Sequence, residues 1–484
     1  MRLNPARLLE QDPDQQLTAW LFLRLLALIY FAAFFSLSVQ INGLAGPGGI
    51  LPFAELLQNA EQSLGTPSAW LRLPTLFWLD AGDAALKGAT LLGMLFSVML
   101  LFNWRPVLSL VMLFVLYLSL FHAGQIFLSF QWDFLLMETG LLAIFVVKGP
   151  SRLMIFMFHW LLFRLRFLSG ASKLLSGDPS WSGMTALNHY FETQPLPHAG
   201  AWYAHQLPDW VLHAGGGVTF FAELVVPFFI FLPRRFRLFA AGFTIAIQLL
   251  IIATSNHNFV NLLTILLCLF LLDDRIVRRL LPEGLRRRIE GEQPAQRRNA
   301  TAAVAVSVVI LSASIPGAIA LATNTSLPAP LHHWMVQVSH FGVGNVYHIF
   351  PTMQTERHEL IIEGSDDGQQ WLPYLFRYKP HELDRRPPFN VPHQPRLDWM
   401  IWFVPPKNPD NLYWFERFLH NLWRGNPQVT SLLRYNPFPD RPPRYLRVLV
   451  YRYQFTTPQE REESGHWWKA EYLGLFPEVA PRRP

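Results

Sequence analysis

Three ionisable side chains lie inside long apolar stretches and could take part in chemistry. Glu138 occurs within LLMETGLLAIF, Glu223 within FFAELVVPFF, and Lys173 follows Arg164 and Arg166 in FRLRFLSGASKLLSG. A charge in a spanning helix costs about 2.5–3.5 kcal/mol on insertion scales, so such residues are usually paired or line a cavity. Lys173 and Arg166 are seven positions apart and would share one helical face.

Two interpretations of these residues stay open. In the first, Lys173 is a base, because burial and neighbouring arginines both disfavour its ammonium form. His122, Asp133 and Glu138 would then join Lys173 as candidate catalytic residues in an outward-opening pocket. Further polar-pocket candidates are Arg164, Arg166, Glu223, Asp178, Trp181 and His189. In the second interpretation Glu138 and Glu223 pair with Arg164, Arg166 or Arg24 and only fasten helices together.

Metal and nucleotide motifs are not recognised in the sequence. His332 and His333 are adjacent, and neighbouring residues rarely converge on one ion. GxSxG and Walker A patterns do not occur, nor does GxGxxG in a strand–helix context. We therefore predict no metal and no cofactor, with a bound lipid or quinone left open. The single cysteine, Cys268, cannot form a disulfide within the chain.

The elements that must position these residues are membrane spans. The chain has 484 residues, of which 51% are hydrophobic and 15% charged, against about a quarter charged in soluble domains. This composition predicts a polytopic α-helical membrane protein with residues 1–323 as a transmembrane domain and 324–484 as an extracytoplasmic domain. The predicted spans are 17–40, 85–102, 107–129, 133–148, 152–168, 211–232, 238–254, 259–272 and 301–323, with 133–148 and 259–272 the weakest.

Arginines between the spans predict the topology. Segment 273–300 carries eight arginines and is expected to be cytoplasmic by the positive-inside rule. Nine spans then give a cytoplasmic N-terminus and a C-terminal domain outside, in a bacterial periplasm or the lumen of the endoplasmic reticulum. The net charge of +6 is explained by these loops, so we predict no nucleic-acid partner.

The C-terminal domain is predicted to be mainly β and sandwich-like. Glu359–Glu363 is followed by the turn sequence GSDDG, and WLPYLFRY, DWMIWFV and YLRVLVYRYQF resemble further strands. Phe415–Leu422 and Gln428–Leu433 are predicted as short helices. The many tryptophans of this region form either its core or a protein-binding surface.

Long strings of the sequence resemble the lipase maturation factor family. They are LSGASKLLSGDPSWSGMTALNHYFETQPLPHAGAWYAHQLP, TERHELIIEGSDDGQQW, PHQPRLDWMIWF, LLRYNPFPDRPPRYLRVLVYRYQFT, HWWKAEY and QWDFLLMETGLLAI. The resemblance implies a membrane-anchored, chaperone-like factor that helps secreted lipases or other exported proteins mature. It implies a client and membrane lipids as partners. It also implies client binding by the C-terminal region, for which the candidates are Arg396, Asp398, Trp399, Trp402, Trp467 and Trp468.

The membrane half is also similar to the HTTM group, which includes the vitamin K-dependent γ-carboxylase. The string SGASKLLSGDPSWSG resembles a segment of that enzyme in which a lysine is the catalytic base, and Lys173 is the matching residue. This resemblance implies an alternative function, a membrane enzyme acting on a lipid or quinone-like substrate. We favour the maturation factor over the enzyme.

Overall fold

The computed structural model describes residues 5–290, 300–405 and 409–476. These residues form a polytopic helical membrane protein with an antiparallel β-sheet near the C-terminus. The α-helices are α1 Pro5–Leu8, α2 Gln16–Ser38, α3 Ile41–Ala45, α4 Phe53–Leu64, α5 Thr66–Arg72, α6 Asp83–Leu101, α7 Pro106–Gly124, α8 Gln131–Ala143, α9 Arg152–Leu175, α10 Pro179–Ser182, α11 Ala186–Thr193, α12 Ala199–His205, α13 Asp209–Phe220, α14 Arg234–Thr254, α15 Val260–Leu267, α16 Asp274–Leu280, α17 Glu283–Glu290, α18 Ala300–Thr323, α19 Ala329–Ser339, α20 Arg396–Ile401, α21 Pro409–Trp423, α22 Pro427–Thr430 and α23 Pro458–Ser464.

Seven helices among the described residues are long and apolar enough to cross a membrane. They are Pro13–Ser38, Asp83–Leu101, Pro106–Phe127, Arg152–Leu175, Asp209–Phe231, Arg234–Thr254 and Ala300–Thr323. Each matches one of the predicted spans. The two weakest predictions, 133–148 and 259–272, correspond to shorter elements: α8 with a 3-10 turn at Ile144–Val146, and the apolar helix Val260–Leu271.

One span changes its helical form in the middle. The helix that begins as α13 becomes a π-helix at Phe221–Val225 and a 3-10 helix at Val226–Phe231. Pro227 lies at this change, and proline cannot donate a backbone hydrogen bond to the preceding turn. Glu223 lies in the π-helical turn, the kind of irregularity that often marks a functional position.

After α18 the chain turns back along the same helix. The Nε1 atom of Trp334 in α19 donates to the Oγ atom of Ser312, 3.0 Å away. Ser312 precedes Thr323, the end of α18, by eleven residues, which is about 16 Å along a helix. A Cβ built on Gly344 would lie 3.0 Å from the Cβ of Ala313. The segment after α19 therefore begins at the depth of the middle of α18 and runs back towards the sheet. We call residues 340–353 the returning segment.

The C-terminal region contains one four-stranded antiparallel sheet in the order β2-β1-β3-β4 within the described residues. Its strands are β1 Arg357–Ser365, β2 Leu372–Pro373, β3 Tyr445–Phe455 and β4 Trp468–Leu475. The hairpin turn predicted after Glu363 is present, since Gly364 pairs with Leu372. The predicted short helices occur as α21 and α22. The region is mainly β, but a single sheet packs against helices where we predicted a sandwich.

Two predicted strands have a different structure. DWMIWFV lies in α20 and the turn after it, and only Leu372–Pro373 of WLPYLFRY is a strand. In the first case the segment is held by tertiary contacts, since the carboxylate of Asp398 accepts the backbone N–H groups of Tyr378 and Lys379. Aromatic residues favour strands only when they pack on a pleated surface, and here tertiary contacts determine a helix instead.

One apolar cluster includes both halves of the chain. Phe22 and Phe158 from the spans belong to the same buried cluster as Leu397 and Phe415 from the C-terminal region. The boundary predicted at residue 324 therefore does not separate two cores. The sheet and the adjoining ends of the spans pack as one body.

Candidate functional site

Lys173 lies near the end of α9 that faces the sheet, and its ammonium group is fully engaged. Its Nζ atom donates to Glu223 Oε2 at 2.8 Å and to the carbonyl oxygen of Ile349 at 2.9 Å. Arg166, two turns earlier, lies 3.7 Å from the same carboxylate. Gly170 permits this approach, since a Cβ there would lie 2.8 Å from the Cβ of Glu223. Gly170, one of the small residues before Lys173, thus has a packing role.

Arg164 and Glu138 form a second pair, with both side chains completely buried. Arg164 also donates to the carbonyl oxygen of Asn345 at 2.9 Å. The other oxygen of Glu138 accepts the N–H of Gly344 at 3.0 Å and the hydroxyl of Tyr347 at 3.1 Å. Each charge is therefore compensated both by its partner and by polar groups of the returning segment.

The returning segment runs alongside α9 with matching spacing. Asn345 contacts Arg164 and Ile349 contacts Lys173. Nine residues of helix rise about 13.5 Å, and four residues of extended chain span about 13 Å. Arg164 and Lys173 of α9 therefore meet two carbonyl groups that lie four residues apart on an extended chain. Non-helical backbone at membrane depth needs such partners, because water and lipid do not supply them there.

Three further pocket candidates also contact the returning segment. The Nε1 atom of Trp181 donates to the carbonyl oxygen of Phe350 at 3.2 Å, and Asp178 accepts the N–H of Met353 at 2.9 Å. At the other end of the segment, Nε2 of His122 lies 2.9 Å from the carbonyl oxygen of His340. Six of the predicted catalytic and pocket residues thus contact the returning segment: Lys173, Arg164, Glu138, Trp181, Asp178 and His122.

Asp133 belongs to a different cluster. Its carboxylate receives two hydrogen bonds from Arg396, at 2.6 and 2.7 Å, and one from the hydroxyl of Tyr117 at 2.7 Å. Asp133 and Arg396 are both fully buried. The four catalytic candidates therefore have separate partners: Glu223 for Lys173, Arg164 for Glu138, Arg396 for Asp133 and the backbone of His340 for His122. His189 lies apart on α11 and is half-buried.

The candidate client-binding residues lie inside the protein. Arg396, Asp398, Trp399, Trp467 and Trp468 are each at most 6% exposed. Trp402 is half-buried and donates to the carbonyl oxygen of Thr193 at 2.7 Å. These side chains form the core and its links to the spans. Of the two alternatives for the tryptophans, core or protein-binding surface, they therefore fit the core.

A buried ionic cluster on β1 is a feature that the sequence does not predict. Glu359 accepts hydrogen bonds from Lys379 at 2.7 Å and from Arg357 at 2.9 Å. Arg357 also donates to the carbonyl oxygens of Glu192 and Pro195, both at 3.0 Å, which fixes the sheet to the end of α11 and the loop after it. Burial alone would raise the pKa of Glu359, but the charges of Lys379 and Arg357 outweigh it and lower the pKa. The one sequence feature that indicates this cluster is the alternation of charged and apolar residues in RHELIIE.

An open groove of about 520 Å³ lies beside α12 and α23, on the side of the protein that carries the sheet. Trp202, Tyr203 and Arg461 contribute to its walls. The guanidinium group of Arg461 lies 3.7 Å from the ring centre of Trp467. In the described residues no three His, Cys, Asp or Glu side chains are grouped so that they could hold a metal ion.

Comparison with known proteins covers nearly the whole chain. Residues 17–279 match the family model described as lipase maturation factor transmembrane domain, and residues 343–477 match the model described as lipase maturation factor C-terminal domain. The chain is 33% identical to Lipase maturation factor 2 of Gallus gallus over 588 aligned positions, which cover 96% of this chain and 81% of that protein. It is 33% identical to Lipase maturation factor 1 of Bos taurus, with 95% and 88% covered, and 32% identical to Lipase maturation factor 2 of Homo sapiens, with 95% and 82% covered. No solved structure matches the chain.

Proposed function

The chain belongs to the lipase maturation factor family, and from that premise we propose that it is a membrane-anchored, chaperone-like factor for the maturation of secreted lipases or other exported proteins. The proposed working face is the one that carries the sheet, on the periplasmic or luminal side. The positive-inside rule supports this orientation, because the arginines of α16 and α17 lie at the opposite ends of the spans.

The observation that carries the proposal is the way in which the sheet is fastened to the spans. Asp133 and Arg396 form a buried two-bond ion pair between α8 and α20. Ser36 and Gln40, at the end of α2, both contact the backbone of Gln394. Such contacts hold a folded surface in a fixed position beside the membrane. A fixed surface of this kind suits a factor that acts on exported proteins beside the membrane.

We propose that the client contacts the edge of the sheet formed by β4. Among the described residues β4 pairs only with β3, and its exposed residues include Tyr472, Leu473 and Leu475. An edge strand offers unpaired N–H and C=O groups to an extended segment of another chain. The opposite edge is β2, which has two residues and ends in Pro373, so it offers far less backbone. A folding intermediate with an unpaired strand is the kind of client that fits the β4 edge.

The enzyme alternative depends on Lys173. A base must be able to lose its proton and reach a substrate, whereas Lys173 donates to a carboxylate and to a backbone carbonyl group. These contacts favour a structural role for the lysine. The alternative keeps its own test, which is the comparison of Lys173→Arg with Lys173→Ala.

Copurification with a secreted lipase of the same host tests the proposed function. The full chain carrying an affinity tag is expected to retain the lipase when both are produced together, and its deletion is expected to lower the specific activity of secreted lipase. A double variant, Leu473→Lys with Leu475→Lys, is expected to lose the lipase. Leu372→Lys on β2 is the matched control and is expected to retain it. Failure of the wild-type protein to affect lipase activity would reject the function, whereas equal retention by both variants would reject only the β4 edge.

A further inference from the structure

A cluster of exposed arginines lies at the ends of the spans opposite the sheet. We call Arg275, Arg279 and Arg288, which are all exposed on α16 and α17, the arginine platform. None of the three forms a salt bridge in the part of the chain that the structure describes. Arg297 and Arg298, which belong to the same predicted cytoplasmic stretch, lie outside the described residues.

The platform is held firmly against the start of the first span. Asp274, at the beginning of α16, accepts the backbone N–H groups of Leu17 and Thr18, both at 2.9 Å, as well as the hydroxyl of Thr18. These groups at the start of a helix would otherwise lack partners. Val277 and Ile289 pack against Leu17 and anchor α16 and α17 to the same site. The arginines therefore remain at the level where the span ends.

The acidic side chains of α16 and α17 are matched to groups outside the platform. Asp274 accepts the hydrogen bonds of Leu17 and Thr18. Asp273, just before α16, is paired with Arg234, and the charge of Arg275 acts on it as well. Glu283 is paired with Arg287, and Glu290 lies 2.7 Å from Arg278. Each acidic side chain of α16 and α17 is thus already matched, and the platform arginines remain as surplus positive charge.

Leu280 gives the platform an apolar edge. It is 67% exposed and directly follows Arg279 at the end of α16. A short helix with exposed arginines and a projecting leucine, fixed where a span ends, suits the boundary between lipid headgroups and acyl chains. A soluble anion would not account for the leucine.

We infer that the arginine platform binds the headgroups of anionic phospholipids in the membrane leaflet opposite the sheet. Guanidinium groups bind phosphate oxygens through paired hydrogen bonds, and surplus arginines next to a span are attracted by an anionic leaflet. The bound lipids would hold the arginine-rich ends of the spans while the other face handles the client. The inference does not depend on the proposed function or on a particular client.

Competition between lipids in detergent tests the inference. The purified full chain is mixed with equal amounts of phosphatidylglycerol and phosphatidylcholine, and the retained lipids are counted by native mass spectrometry. Wild type is expected to prefer phosphatidylglycerol. Arg275→Gln, Arg279→Gln and Arg288→Gln together are expected to reduce this preference by about tenfold or more. The triple lysine variant at the same positions is expected to keep most of it, because lysine retains the charge.

The matched control removes the same charge from the face that carries the sheet, through Arg72→Gln, Arg424→Gln and Arg444→Gln. This variant is expected to prefer phosphatidylglycerol as wild type does. An equal loss in the control, or an unchanged preference in the platform variant, would overturn the inference. If the platform variant does not fold, the inference is tested by how the preference of the wild-type protein for phosphatidylglycerol depends on salt. A platform contact predicts that the preference declines steeply as NaCl rises to about 0.5 M, and a preference that persists unchanged would reject it.

Discussion

The Nζ atom of Lys173 lies 2.9 Å from the carbonyl oxygen of Ile349, a residue 176 positions further along the chain. This contact joins the helix with the strongest catalytic resemblance to the segment that leads into the sheet. The same nitrogen contacts Glu223 on a third element. One lysine therefore fastens two spans and the returning segment. These contacts require Lys173 to carry a positive charge, and they do not require it to lose a proton.

Lys173→Arg is expected to keep most of the yield and function of the wild-type protein. Guanidinium remains protonated, so it can still donate to Glu223 and to Ile349 but cannot serve as a neutral base. Lys173→Ala leaves the buried carboxylate with only the more distant Arg166 and is expected to lose several kcal/mol of stability. The measurements are membrane yield, melting temperature in detergent and secreted lipase activity. A well-folded Lys173→Arg protein as inactive as the alanine variant would instead support the enzyme.

Breaking the pair between Asp133 and Arg396 is expected to destabilise the protein by about 3–5 kcal/mol, because one buried charge is left without a partner. Asp133→Asn provides the test, read as a loss of yield and of melting temperature. Glu471→Gln is the control. It removes the partner of Arg452 in a surface pair that is 34% and 61% exposed, and it is expected to change stability by less than about 1 kcal/mol. Similar losses of melting temperature for the two substitutions would contradict the expectation that a buried ion pair contributes more to stability than an exposed one.

The sequence predicted the spans well because their signal is local. Apolar runs such as 17–40 need only length and composition to be recognised. The sequence also allowed the interpretation that Glu138 and Glu223 pair with arginines, because buried charges need partners. The returning segment was not predictable in this way. Its residues FGVGNVYHIF resemble an ordinary connection, and its depth depends on contacts with α8, α9 and α18. Likewise, nothing local distinguishes a buried Trp399 from an exposed one.

Gly170→Ala is expected to destabilise the protein by about 1–3 kcal/mol, since the added methyl group would overlap Glu223 and Leu224. Gly217→Ala is a matched control because it also replaces a glycine inside a span. A Cβ at that position meets nothing within 4 Å, so the substitution is expected to be neutral or slightly stabilising. Melting temperatures in the same detergent compare the two. Equal behaviour would show that α9 and the π-helical turn can separate without cost.

The stability of the sheet is expected to fall in acid because of Glu359. Burial raises the pKa of this group, but Lys379 and Arg357 lower it below its usual value. A lowered pKa in the folded state contributes stability above the unfolded value of about 4.3, and this contribution is lost as pH falls through the folded pKa. Melting temperature measured from pH 6 down to pH 3 should decline, and Glu359→Gln should be less stable at pH 7 with a shallower decline. A parallel decline in the variant would assign the acid sensitivity to other groups.

Topology can be tested by labelling cysteines in a Cys268→Ala background. Gln370 is exposed in the turn region beside β2, and Gly284 is exposed at the start of α17. Because arginine-rich loops are retained on the cytoplasmic side, an impermeant thiol reagent is expected to modify Gln370→Cys in intact cells and to spare Gly284→Cys. Permeabilised cells provide the control, since both cysteines should then react. Labelling of Gly284→Cys with protection of Gln370→Cys in intact cells would invert the membrane orientation. It would also move the sheet, and with it the proposed client surface, to the cytoplasmic side.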